Sequence, residues 1–158
     1  MAKHSGTIQK GFDRQAAYFR TRIGMRNSDT DQFRHINNAA IASFFEEARM
    51  SVFAQDDLAV SMQGKNVVVA HLAIDFLKEI FYPGELEIWT TPERAGTTSF
   101  TLIQGLYAGD TLCARAKAVC VLLDSQSRQP VALPDALRGQ LAPGRAGGPR
   151  RLPFNDQH

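Results

Sequence analysis

The chain has 158 residues, 44% of them apolar, and 18 basic against 16 acidic side chains leave a formal charge of +2 at pH 7. These figures exclude an acidic disordered chain and speak against a nucleic-acid partner, which calls for a stronger, clustered excess of Lys and Arg. One folded, soluble domain is expected, able to bury roughly two thirds of the surface its unfolded chain exposes and so independent of disulfides or metals.

Cys113 and Cys120 stand in one predicted strand, roughly 23 Å apart and on opposite faces, beyond disulfide reach. Two unpaired thiols suit a reducing compartment. Residues 1–15 hold no apolar core of signal-peptide length, and no stretch approaches the ~20 apolar residues of a membrane span. A cytoplasmic protein with no membrane partner is expected.

In chain order, residues 1–15 read as an N-terminal extension and 16–141 as the domain. In residues 16–26, Phe19, Thr21, Ile23 and Met25 alternate with Tyr18, Arg20, Arg22 and Gly24, the period of a half-buried strand. A polar stretch follows, and then Ile41, Phe44, Phe45, Ala48 and Val52 recur at spacings of three and four. That spacing predicts an amphipathic helix over 37–53, about 25 Å long, with Asn37 suited to its N-cap.

Beyond residue 65 the chain reads as strands over 66–80, 85–94, 97–108 and 111–124, separated by Tyr82-Pro83-Gly84, Ala95-Gly96, Gly109-Asp110 and SQSRQP. Short connections between long strands predict an antiparallel meander. Residues 133–141 suit one short helix. From 142 to 158 the text turns rich in Gly, Pro and Arg, which reads as a mobile tail with Arg145, Arg150 and Arg151 solvated. One helix covers one face of such a sheet, yet the last strand carries Val119, Val121 and Leu123 opposite Leu112, Ala114, Ala116 and Leu122. Large exposed apolar patches are uncommon on monomers, so a second subunit is expected on that face.

The densest set of chemically able side chains is Asp29-Thr30-Asp31-Gln32-Phe33-Arg34-His35-Ile36-Asn37-Asn38, between the first strand and the helix. A helix N-terminus offers free N–H groups and a positive dipole end, which stabilise a developing oxyanion. A carboxylate held just before it can act as general base or nucleophile. These are the parts of a hydrolytic acyl-transfer site. Each also has a plain structural use: Asp29 and Asp31 as turn formers, His35 as a satisfied half-buried histidine, Asn37 as a cap. Asp-x-Asp with one nearby His is a weak metal signal, and Glu46 with Arg49, at i and i+3, suits a helix ion pair.

The string SDTDQFRHINNAAIASFFEEAR resembles the signature of the 4-hydroxybenzoyl-CoA thioesterase-like branch of the hotdog-fold superfamily: Asp-x-Asp, a small turn, His-x-Asn-Asn, then a helix ending in Glu-x-x-Arg. Tyr82-Pro83-Gly84, Gly96 to Ser99 and the Arg-Gln-Pro-Val-Ala-Leu-Pro ending extend the likeness over roughly 16–141. The resemblance implies an α+β hotdog fold, a curved antiparallel sheet wrapped around one long central helix. It also implies a homodimer or a tetramer of dimers, with sites at the subunit interface that hydrolyse acyl-CoA without a metal or other cofactor.

Carried over by residue, Asp31 matches the catalytic carboxylate, Asn38 a polar position near the thioester, and His35 with the first helix amides a carbonyl-polarising group. Asp29 matches a support for the loop. The family commonly has Gly where this chain has Arg34. The expectation is that a glycine-only backbone conformation is lost and that a cation enters beside Asp31, where it meets that carboxylate, an acyl carboxylate or a CoA phosphate. Arg94, Thr98 and Ser99 are the candidates for the nucleotide end of CoA. Phe33, Ile41, Phe44 and Phe45 are candidates for an acyl tunnel. The expected activity is acyl-CoA thioester hydrolysis. The rival is a non-catalytic, acyl-CoA-binding regulatory hotdog protein, motivated by Arg34. A hotdog dehydratase is disfavoured, because its helix-borne acid and His are not displayed.

Overall fold

A computed structural model describes residues 12–141 and 150–151. Its strands are β1 (Phe19–Gly24), β2 (Lys65–Phe76), β3 (Glu85–Ala95), β4 (Ser99–Ala108), β5 (Thr111–Asp124) and β6 (Arg150–Arg151), and its helices are α1 (Asn38–Phe53), α2 (Asp56–Ser61) and α3 (Asp135–Gln140). The expectation of a mobile tail over 142–158 lies outside the described residues, apart from Arg150 and Arg151, whose backbone pairs in parallel with Phe19 and Arg20.

β1 follows its alternation, with Phe19, Thr21 and Ile23 buried. The meander holds for β3, β4 and β5, but the sheet order is β2-β5-β4-β3-β1-β6, so β2 and β3 are not a hairpin. The Tyr82-Pro83-Gly84 connection instead carries the chain from one edge of the sheet to the strand beside β1. A strand of twelve residues is thereby left on an open edge.

α1 lays Ile41, Phe44, Phe45, Ala48 and Val52 on one face of the sheet, all at most 4% exposed. Its first half packs on Ile23, Leu86, Ile88, Leu106 and Ala114. Its last turn joins Leu58 of α2 and Leu137 of α3 over Phe19, Phe100, Leu102 and Leu122. Burying a side chain the size of Phe45 stabilises by about 3 kcal/mol, and that packing fixes where the N-terminus of α1 points.

Arg49 makes no ion pair with Glu46 among the described residues. The sheet lies over that face of α1, so the guanidinium is buried and its Nη1 donates to Gln104 Oε1 on β4 at 3.0 Å. Gln104 Nε2 donates in turn to Thr90 Oγ1 and to the Phe45 carbonyl. Burial pulls the Arg49 pKa down, opposed by the nearby Cys120 and Glu46.

The two cysteines do not face opposite ways. A register shift where Leu106 pairs with Ala114 and Tyr107 with Leu112 gives β5 an extra residue there. A bulge of this kind moves the alternation by one, so Cys113 and Cys120 are both buried and Leu112 is not. Burial pushes the Cys120 thiol up to about 11.

Val119, Val121 and Leu123 are half-buried on the face away from α1. More strongly exposed apolar side chains lie elsewhere, on β2: Val69, Leu72 and Phe76 at 41%, 38% and 48%. They pair with Cys120, Ala118 and Ala114, so they sit on the helix side of the sheet, past the area that α1 covers. Across the outer face, Phe12 lies over Gly105, where a Cβ would stand 2.6 Å from its ring. The Tyr107 hydroxyl donates to the Phe12 carbonyl at 3.0 Å.

Candidate active site

The segment between β1 and α1 is a closed loop tied at several points. Asp29 is buried and braces its start: Oδ2 accepts from the Arg26 N–H at 2.8 Å, and its carbonyl accepts from the Asn37 N–H at 2.8 Å. Asp31 closes the tip. Its N–H donates to the His35 carbonyl at 2.8 Å, while Oδ1 accepts from the N–H groups of Phe33 at 2.8 Å and His35 at 3.1 Å. Turn chemistry thus occupies only one oxygen of the carboxylate, since Oδ2 has no hydrogen-bond partner among the described residues.

The loop is also laced to the segment after β2. Ile36 N–H donates to the Ile80 carbonyl at 2.8 Å, and His35 bridges Phe81. Asn37 then caps α1, accepting from the Ala39 N–H at 2.8 Å. That leaves the N–H of Asn38, the first helical residue, with no acceptor among the described residues.

These segments enclose a cleft of about 420 Å³ lined by Asp31, His35, Asn37 and Asn38, by Ile36 and Ile41, and by Phe76 through Ile80. Its floor is apolar and its rim carries a carboxylate, an imidazole and a helix N-terminus. Such a site can hold an acyl group, present a base to its carbonyl carbon and meet its carbonyl oxygen with an N–H group.

Three of the candidate residues, Asp31, His35 and Asn38, therefore line one cleft, with Ile41. Phe33 is 67% exposed and outside that lining, and Phe44 and Phe45 belong to the core. Arg94, Thr98 and Ser99 do not come near it. Ser99 pairs with Val121 while the cleft residue Phe76 pairs with Ala114, which puts the β3–β4 turn about seven residues, roughly 23 Å, along the sheet. Phe76 to Ile80, expected to be the end of a strand over 66–80 and given no part in the site, instead line the cleft, because β2 stops at Phe76. The visible signal was the break in alternation at Lys78-Glu79, just before Tyr82-Pro83-Gly84.

The expected loss of a glycine-only conformation does not occur. Arg34 itself adopts φ 66, a left-handed geometry that costs a residue with a Cβ about 1 kcal/mol. Its neighbours hold it there, because its N–H donates to the Asp31 carbonyl at 3.2 Å and its carbonyl accepts from the Tyr82 N–H at 3.4 Å. Its side chain is exposed and makes no ion pair with Asp31 among the described residues. No three His, Cys, Asp or Glu side chains among the described residues are grouped to hold a metal.

A long helix held against a curved antiparallel sheet, with a polar loop leading into the helix, is the hotdog fold. Residues 25–141 match the family model described as the thioesterase-like superfamily, and the chain belongs to that family. It is 30% identical over 121 residues to the uncharacterized protein YsmA of Bacillus subtilis (strain 168), covering 74% of this chain and 80% of that one. A predicted thioesterase from Bacillus stearothermophilus superposes with a TM-score of 0.70 at 28% identity, covering 78% of this chain and 92% of that one. A thioesterase from Thermus thermophilus, solved with coenzyme A and Zn, superposes at 0.69 with 27% identity, covering 82% and 95%. No helix among the described residues is long and apolar enough to cross a membrane.

Proposed function

We propose that the protein hydrolyses acyl-CoA thioesters to a carboxylic acid and free CoA, with Asp31 as the catalytic carboxylate. The observation that carries this reading is that Asp31 and the N-terminus of α1 face one cleft with an apolar floor. Asp31 Oδ2 takes a proton from water, whose oxygen adds to the thioester carbon. The oxyanion that forms meets the Asn38 N–H and the positive end of α1. The C–S bond then breaks, and the thiolate of CoA takes up the proton that Asp31 holds. In the alternative route Oδ2 itself attacks and water opens the resulting anhydride. Single turnover in heavy-oxygen water gives a label on Asp31 only by the second route, when water adds to the Asp31 carbonyl of the anhydride. Family membership and the coenzyme A bound to the Thermus thermophilus thioesterase support CoA as the thiol carrier.

The working unit is a homodimer, or a tetramer built from it, formed through the open edge of β2. A two-fold axis near Leu72 pairs β2 antiparallel with its mate and covers Val69, Leu72 and Phe76. It also sets the end of β2 that carries Phe76 beside the mate's Val68, and so carries the mate's Arg94, Thr98 and Ser99 toward the cleft and the phosphates of CoA. A long, partly apolar edge strand left unpaired is an aggregation site, which is the physical reason to pair it. The cysteines, both buried and unbridged, suit work in the cytoplasm.

The test is thiol release from a panel of acyl-CoAs by the wild type and by Asp31→Ala. Turnover by the wild type, lost in the variant, supports the reading. Equal turnover by both removes Asp31 from the mechanism. Tight binding with no turnover across the panel favours the regulatory acyl-CoA-binding protein instead. Sedimentation as a monomer at micromolar concentration contradicts the dimer.

A further inference from the structure

The chain after β2 brings a second carboxylate to the cleft. Glu79 Oε1 lies 3.6 Å from His35 Nδ1, and both residues line the cleft. It is the one approach within 4 Å of a carboxylate to a histidine among the described residues; the other carboxylates in such contacts face Arg or Lys. The ring is held from other directions too. The Phe81 ring stands against it edge-on, centroids 4.7 Å apart at 87°, and the His35–Phe81 bridge and the Ile36–Ile80 hydrogen bond fix the two backbones that carry the pair.

We propose that Glu79 is a positioning residue that sets the tautomer of His35. The approach is longer than a hydrogen bond and Glu79 is 67% exposed, so the carboxylate acts through its charge: facing Nδ1, it favours a proton on that nitrogen over a lone pair and leaves Nε2 as the acceptor. Free histidine prefers the opposite tautomer, with its proton on Nε2. Asp31 Oδ1 already accepts from the His35 backbone N–H, so the loop that carries Asp31 also carries the imidazole that Glu79 faces. The role in turnover rests on the thioesterase reading: Nε2 accepts a hydrogen bond from the attacking water and orients it for Asp31. The tautomer itself does not depend on that reading.

The decisive measurement is nitrogen NMR of the histidine-labelled full chain, with His35 assigned by its loss in His35→Ala. The wild type should show the His35 proton on Nδ1, and Glu79→Ala should move it to Nε2. In thioester hydrolysis Glu79→Ala should lower kcat about tenfold, less than the hundredfold or more of a lost general base, with KM unchanged. It should have no further effect in a His35→Ala background. A wild-type proton on Nε2, or an equal kcat loss with and without His35, overturns the proposal. If the wild type hydrolyses none of the thioesters, the thioesterase reading fails, and the tautomer still decides the pair.

Discussion

The turn at Asp31 and the turn at Asp124 are built alike. Asp31 Oδ1 accepts from Phe33 and His35, and Asp124 Oδ1 accepts from Gln126 at 3.0 Å and Ser127 at 2.7 Å. Both are followed by an arginine in the left-handed region, Arg34 at φ 66 and Arg128 at φ 61. What differs is the surroundings. The Asp124 turn hangs from the end of β5, tied to Gly64 before β2, and shows its side chains to water. The Asp31 turn is braced by Ile80, Phe81 and Tyr82 and runs into the N-terminus of α1. The same turn chemistry thus serves in two settings, and only the Asp31 turn has a cleft and a helix N-terminus beside it.

The largest effect separates the two aspartates in function. Asn keeps the accepting Oδ1, so Asp31→Asn and Asp124→Asn should both fold, but only the first should lose turnover, by about a hundred- to ten-thousand-fold, the range of a lost general base. Steady-state thiol release with circular dichroism as the folding control checks this. A similar loss in both would break the comparison.

A smaller effect tests the helix that only one of the turns feeds. Asn37→Ala removes the cap of α1 and should cost about 1 kcal/mol in denaturant unfolding, together with a lower kcat as the first turn frays.

The strain at the two arginines is smaller again. Arg34→Gly and Arg128→Gly should each stabilise by at most about 1 kcal/mol, since relief of the left-handed strain is partly offset by the greater unfolded-state freedom of Gly. Equal changes in thermal midpoint show the two turns to be alike in backbone energetics. A change in KM for CoA substrates confined to Arg34→Gly would assign its guanidinium to the substrate.

The smallest effect is in acid. Bonds from the Ser127 backbone and side chain and from Gln126, with help from Lys65, hold the Asp124 carboxyl below its ordinary value. A depressed folded pKa adds stability above the unfolded value that is lost as pH falls through the folded one. The acid loss of stability, compared at about pH 5 and about pH 3, should be slightly smaller in Asp124→Asn than in the wild type.

Much of the fold was legible because it is written in local period. The alternation of Phe19, Thr21 and Ile23, the three-and-four spacing from Ile41 to Val52, and Asn37 as a cap are nearest-neighbour properties, and the structure keeps them. The Asp31, His35 and Asn38 group was legible for the same reason, lying within eight residues of chain. The place of β2, the bulge that turns Cys113 inward and the burial of Arg49 were not, because each depends on a strand distant in sequence.

By itself, then, the sequence determined most of the elements, though not α2 or the end of β2 at Phe76, together with the loop that carries Asp31 and His35 and the family it resembles, since side-chain period and turn chemistry act over a few residues. The tertiary structure alone decided that Phe76 to Ile80 forms the other wall of the cleft and that Glu79 faces His35. It also decided that Arg94, Thr98 and Ser99 stand at the far end of the sheet. Those relations are set by which strands share an edge, and strand pairing is chosen by the packing of the whole core.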